Sequence, residues 1–249
     1  MPVDMNLLIN AVSEIKSEYE QAISSKTYTS LIRSGKLIKI LHDFAIKELE
    51  RLIEPSWIYK DKRVYGFPKI KTQDILVQSP QNGQRSLSAG PFLSLNIRSQ
   101  LSSIKKNYDT LFERLFAEAL NLHNRFPYLV LGYLYLLPKI GYDEQAAKKR
   151  RVNLTEKYDL QKYILSFLSV TNREAPVDAP WKYEKICLLI VDFSKKTPVV
   201  MDDMEVFAQQ QLVPKEFADL YSFRDLSIRT FFDDLVKIMK ERHYLMKLK

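Results

Sequence analysis

Asp74-Ile75-Leu76-Val77, a polar loop, and then Phe92-Leu93-Ser94-Leu95-Asn96-Ile97-Arg98-Ser99-Gln100 read as two β-strands. In the second, Phe92, Leu93, Leu95 and Ile97 alternate with Ser94, Asn96 and Arg98. A period of two places Ser94, Asn96 and Arg98 on one face and most of the apolar set on the other. Asp74 stands near the start of the first apolar run. Between the two runs, Ser79 to Gly90 is rich in Gln, Ser, Asn and Gly, which is the composition of a loop or hairpin end.

Working outward, Leu101 to Asn124 has helical periodicity, with Leu101, Ile104, Tyr108, Leu111, Leu115, Ala119 and Leu122 as its apolar stripe. A polar stripe carries Ser102, Lys106, Asp109 and Glu113. Tyr128 to Leu137 is almost wholly apolar and ends at Pro138, as a strand buried on both faces would. Asp143 to Asn153 is a charged connection, Leu154 to Val170 a helix, and Lys185 to Phe193 a second buried strand. Towards the N-terminus, Leu7, Leu8, Val12, Ile15, Tyr19 and Ile23 recur at helical spacing behind a possible Asp4 N-cap. A second helix is expected from about Thr27 to Leu52, ended by Pro55. Short strand-like segments follow at Arg63 to Ile70 and Gln73 to Gln78. Two or three helices complete the chain, the last from about Phe223 to His243.

The order αα-ββ(β)-α-β-α-β-α predicts an α/β (α+β) fold: a mixed sheet flanked by helices, with helical additions at both ends. A single domain over 1–249 is expected, with an N-terminal helical hairpin over 1–55, a core over 58–193 and C-terminal helices over 194–249. The N-terminal hairpin suits either a scaffold or a dimerisation surface.

The chain has 249 residues, a net charge of +8 and a sequence pI near 9.3. That surplus favours a polyanionic partner, nucleic acid first and a membrane surface second. Cys187 is the only cysteine, which excludes an intramolecular disulfide and a cysteine-built zinc site. His42, His123 and His243 show no metal-binding spacing. No basic start precedes an apolar stretch over residues 1–10, and no run approaches the roughly 18 apolar residues of a membrane span. The expectation is a soluble cytoplasmic protein.

The Asp74 strand, the Asn96-Ile97-Arg98 strand and the charged helix after it resemble the PD-(D/E)xK nuclease superfamily, and within it the type II restriction endonucleases. The resemblance covers Ile70 to Pro138. Asp74 matches the Asp that opens one strand in that family, with Gln73 in place of the usual Pro. Asn96-Ile97-Arg98 occupies the place of Glu-x-Lys. Ser99-Gln100, Asn107 and the pair Glu113-Arg114 also look like members of this group.

The resemblance implies a prokaryotic, Mg²⁺-dependent, sequence-specific endonuclease acting on double-stranded DNA as a homodimer. Asp74, Asn96, Arg98 and Glu113 are then the catalytic set. Asp74 and Glu113 would hold the metal, and Asp109 is the runner-up to Glu113. Arg98 cannot act as a base, because its guanidinium stays protonated, but it can stabilise phosphate charge. Gln100, Lys105, Lys106, Arg85 and the run Lys148-Lys149-Arg150-Arg151 are the candidate DNA contacts. The basic run suits phosphate binding or an ordinary solvated loop. The alternative function is a nuclease-fold DNA-binding or assembly subunit whose site is inactive, since Asn and Arg replace Glu and Lys.

Overall fold

The computed structural model describes residues 2–25, 27–79 and 90–247. Helix α1 (Met5–Ser24) starts where expected: the Asp4 carboxylate accepts the Asn6 and Leu7 N–H groups at 3.0 and 3.1 Å. The helix expected over 27–52 is two, α2 (Tyr28–Ser34) and α3 (Lys36–Glu50). Gly35 divides them. Its φ of +68° is left-handed, a conformation that glycine alone adopts at no steric cost, so the chain turns there and starts a new helix.

The next two strands are β1 (Ile58–Tyr65) and β2 (Ile70–Val77). The short strand expected over 63–70 is instead the end of β1 and a turn. Gly66 N–H closes that turn onto Lys69 C=O at 3.0 Å, and Pro68 has no N–H to give a ladder. Then come β3 (Leu93–Ser99), α4 (Tyr108–His123) and β4 (Val130–Pro138). The helix expected from Leu101 begins late because the Ser103 carbonyl is already taken by the Gln100 and Asn107 side chains at 2.8 and 3.1 Å. Ser103 itself adopts a φ of 53°.

Beyond β4 lie β5 (Gly141–Tyr142), α5 (Glu144–Lys148), β6 (Leu154–Glu156) and α6 (Leu160–Val170). The helix expected from Leu154 starts only where Asp159 caps it, through Lys162 N–H at 3.0 Å. The chain continues with β7 (Lys185–Asp192), β8 (Val199–Met201), α7 (Met204–Gln209), α8 (Lys215–Leu220) and α9 (Ile228–Lys247).

Six strands form one mixed sheet in the order β1-β2-β3-β4-β7-β8. β1, β2 and β3 are an antiparallel meander, β3, β4 and β7 run parallel, and β8 returns antiparallel at the far edge. This is the expected mixed sheet flanked by helices. One face carries Ile75, Val77, Leu95, Ile97, Leu134 and Leu189 against α1, α3 and α9. The other carries Leu76, Leu131, Tyr133, Tyr135 and Leu188 against α4 and α6. All nine residues of β4 are buried, as a strand covered on both faces requires. Among the described residues, no helix is long and apolar enough to cross a membrane.

Beneath the sheet, Glu184 is fully buried and receives Arg173 Nη1 at 2.9 Å, Arg242 Nη1, and Leu131 N–H at 2.6 Å. His123 Nε2 lies 3.4 Å away. This cluster ties α9, the end of α4 and the starts of β4 and β7 together. A lone charge at that depth would be prohibitively costly; two guanidinium partners make it tolerable.

Candidate active site

Strands β1 and β2 pair in one register on both sides of Asp61 and Asp74, yet these two residues do not pair with each other. Asp61 has a φ of 51°. The alternation of both strands switches at this point. Ile75 packs with the α1–α3 side of the sheet, whereas Gln73, two residues earlier, turns to the α4 side, where it meets Ser94, Asn96 and Glu118. Opposite Gln73, Lys62 makes the same switch relative to Lys60, which reaches Asp43 on α3 at 2.7 Å.

Strand β3 keeps a regular alternation, so the β2–β3 ladder stops at Ile75–Leu95. Side chains continue it. Asp74 N–H donates to Asn96 Oδ1 at 3.1 Å, and Ile97 N–H donates to Asp74 Oδ2 at 2.7 Å. The Asp74 carboxylate thus sits in the opening where two strands part.

The expected alternation of β3 delivers Ser94, Asn96 and Arg98 to the α4 side. Asn96 Nδ2 and Ser94 Oγ both donate to Gln73 Oε1, at 2.8 and 2.6 Å, and Gln73 Nε2 faces Glu118 Oε1 at 3.4 Å. Arg98 Nη1 reaches Asp74 Oδ2 at 2.6 Å, with 42% of the Arg98 side chain exposed. Asp74, Asn96 and Arg98 are therefore brought together.

Glu113 is not brought to them. It is exposed on α4, and no contact joins it to the group among the described residues. The carboxylate that α4 delivers is Glu118. Five residues later on a helix means about 140° of rotation and roughly 7.5 Å of rise, so the two side chains cannot share one target. Asp109, the runner-up, is exposed as well.

Charge in the site is uneven. Burial raises the Asp74 carboxyl, but the His42 ring, the Arg98 guanidinium and the Ile97 N–H together hold it below the ordinary carboxylate value. Burial raises the Glu118 carboxyl, and here burial prevails over the opposing fields of Arg98 and Lys71. Tyr133, buried beside Arg98, is also pushed up by burial. His42 comes from α3 on the opposite face. Its Nε2 stands 3.6 Å from Asp74 Oδ2, and neither ring nitrogen makes a hydrogen bond among the described residues.

Glu118 and His42 were not among the sequence candidates. The signal for both was spacing. Glu118 lies seven residues after Leu111 and three after Leu115. His42 lies three before Ala45 and seven before Leu49. Each polar residue therefore falls on its helix's buried stripe.

The candidate DNA contacts divide. Gln100 is tied internally: Tyr135 Oη donates to its Oε1 at 2.6 Å, and its Nε2 donates to Ser103 C=O. It orients the chain after β3 rather than offering a free amide. Lys105 and Lys106 are exposed on a 3₁₀ turn before α4. Lys148 pairs with Glu144 at 2.6 Å, while Lys149, Arg150 and Arg151 are exposed. Ser103 Oγ donates to Glu144 Oε2, which places this basic segment beyond the C-terminal end of β3, the same end of the sheet as Arg98. Arg85 falls within residues 80–89 of the polar loop, outside the described residues.

A metal at this site would rest on Asp74 and Glu118. No group of three or more His, Cys, Asp or Glu side chains able to hold a metal is found among the described residues. Mg²⁺ asks for less, since it keeps several waters and needs one or two carboxylates plus substrate phosphate. All the Asp74 side-chain contacts fall on Oδ2, and Oδ1 accepts no hydrogen bond among the described residues. Glu118 is half-buried and desolvation raises its carboxyl, so a cation beside it would favour the charged form. Asp74 Oδ1 and the Glu118 carboxylate are the oxygens this site could offer a hard divalent ion. No protein-family model, no curated protein and no solved structure matches this chain.

Proposed function

We propose that this chain is a Mg²⁺-dependent, sequence-specific endonuclease that hydrolyses phosphodiester bonds of double-stranded DNA, on the plan of the type II restriction enzymes. The observation that carries the reading is the Asp74–Arg98 pair where β2 and β3 part, with the Glu118 carboxylate of α4 linked to it through Gln73 and Asn96. Asp74 and Glu118 are the residues that would hold the metal, with Glu118 taking the role expected of Glu113. Bound there, Mg²⁺ supplies an acidified water and neutralises charge at the phosphate.

The chain's own side chains do the rest. Arg98, part exposed and aimed at Asp74, can swing onto a phosphate oxygen and offset the charge that develops there. Asn96 fixes Asp74 through the backbone, and Gln73 links Asn96 to Glu118. Lys105 and Lys106, exposed beside the end of β3, suit the flanking phosphates. Cutting both strands calls for two such sites, hence a homodimer. The family likeness also carries the prokaryotic, cytoplasmic setting.

Incubation of the full chain with supercoiled and linear duplex DNA tests this. Discrete fragments in Mg²⁺ and none in chelator are expected; intact DNA at every site sequence and divalent ion tried would overturn it. One observation favours a second reading, an inactive nuclease-fold subunit that binds DNA. Asp74 is already neutralised by Arg98, and the Asn96 amide is spent on internal bonds. That reading predicts duplex binding without cleavage.

A further inference from the structure

Strands β1 and β2 end in a hairpin tip whose composition the proposed chemistry does not use. From Lys60 to Lys71 the chain carries Lys60, Lys62, Arg63, Lys69 and Lys71 against one acid, Asp61. Lys60 is paired with Asp43, but Arg63 and Lys69 are exposed and make no ion pair among the described residues. Three large apolar side chains stand at the same tip: Tyr65 is 63% exposed, Phe67 70% and Ile70 52%. Tyr65 pairs with Ile70 and Arg63 with Thr72, so all four lie on one face of the ribbon.

The tip is held firmly. Asn121 of α4, itself buried, accepts Lys69 N–H and donates to Lys69 C=O, both at 3.0 Å. Its own carbonyl takes Phe67 N–H at 2.7 Å. Asn121 lies three residues after Glu118 on the same helix, and β2 runs from the tip to Asp74. The ribbon is thus braced to both carboxylates of the candidate site.

From this geometry we infer that the β1–β2 hairpin is the element that docks duplex DNA, entering a groove and delivering the adjoining phosphates to Asp74 and Glu118. The inference rests on the nuclease reading for its partner. A two-stranded ribbon fits the major groove. Cations along its length complement phosphate, and Tyr65, Phe67 and Ile70 offer apolar contact to thymine methyls and sugars. The competing occupant is a second copy pairing along the free edge of β1. Lys60, Lys62 and Arg63 on that edge repel a like strand, as charged edges commonly do.

Fluorescence anisotropy with a random-sequence duplex across a salt series, using the full chain in Ca²⁺ or chelator, tests the inference. In R63Q/K69Q the slope of log affinity against log salt is expected to fall by about 1.8, two phosphate contacts at roughly 0.9 each. F67A is expected to lose about tenfold in affinity with its slope unchanged, as removal of a buried aromatic contact would. These side chains are exposed, so native melting curves should accompany both effects. Native affinity and slope in both variants would overturn the inference. So would a native chain that binds no duplex, or F67A turning a dimer into a monomer with DNA binding intact. Failure of the nuclease reading looks different: the hairpin variants lose binding while the native chain binds and never cuts.

Discussion

Replacing Asp74 separates its structural work from its chemical work. Asp74→Ala removes the acceptor for Ile97 N–H, a group in a fully buried residue. An orphaned buried donor costs about 1–3 kcal/mol. The lost Arg98 pair adds less than about 1 kcal/mol, because the Arg98 side chain is 42% exposed and water takes over its solvation. The expected destabilisation of Asp74→Ala is therefore about 1–4 kcal/mol. Asp74→Asn keeps an oxygen that accepts Ile97 N–H and should lose no more than about 1 kcal/mol. Cleavage should not follow this ranking. In the proposed chemistry both variants lose a metal ligand, and at about 1.36 kcal/mol per factor of ten a loss of roughly 4 kcal/mol in transition-state stabilisation slows cutting about a thousandfold. Urea unfolding followed by circular dichroism reads the first quantity, and Mg²⁺-dependent cleavage of duplex DNA the second. Asp74→Asn with native stability and native cleavage would refute the reasoning. So would cleavage rates that merely track the two unfolding free energies.

The Glu184 cluster gives a stability test away from the site. Glu184→Ala strands two buried guanidinium groups and should cost about 3–5 kcal/mol; at roughly 2–4 °C per kcal/mol for a chain of this size, Tm falls on the order of 10 °C in differential scanning calorimetry. Burial raises the Glu184 carboxyl, but His123, Arg242 and Leu131 N–H bring it below the ordinary value. Its stabilising contribution is then complete above the unfolded carboxylate's titration and is lost as pH falls through the lower folded value, so Glu184→Gln should flatten the acid limb of a stability–pH profile. Gly66→Ala would put a Cβ 2.2 Å from Asn121 Nδ2, breaking the clamp at about 1–3 kcal/mol. Hydrogen exchange should show lost protection at the hairpin amides, with β4 and β7 unchanged.

How much of this was legible in the sequence depended on whether local pattern or distant contact decided each element. The β3 alternation was local: Ser94, Asn96 and Arg98 face together because a strand repeats every two residues. The buried strands β4 and β7 announced themselves as apolar runs. The break at Gly35 was visible as a glycine inside a periodic helix but lost to that periodicity. Strand β8 has only three residues, Val199 to Met201, and exists because β7 offers an edge. The late start of α4 depends on side chains competing for the Ser103 carbonyl, a matter of tertiary placement. In the site, Asp74, Asn96 and Arg98 were found from strand pattern and family likeness. Glu118, the α4 carboxylate that faces Gln73, was passed over because Glu113 sits on the obvious polar stripe, whereas Glu118 follows the apolar one. A carboxylate and a histidine on apolar stripes, Glu118 and His42, were the stronger clue, since burying such groups is costly unless a partner meets them.

The choice between the two helix carboxylates is the most direct test of the proposed site. Mg²⁺-dependent cleavage of duplex DNA should fall about a thousandfold in Glu118→Gln, as for loss of a metal ligand, and stay native in Glu113→Gln. Native cleavage by Glu118→Gln, or loss confined to Glu113→Gln, would contradict the site described for this chain.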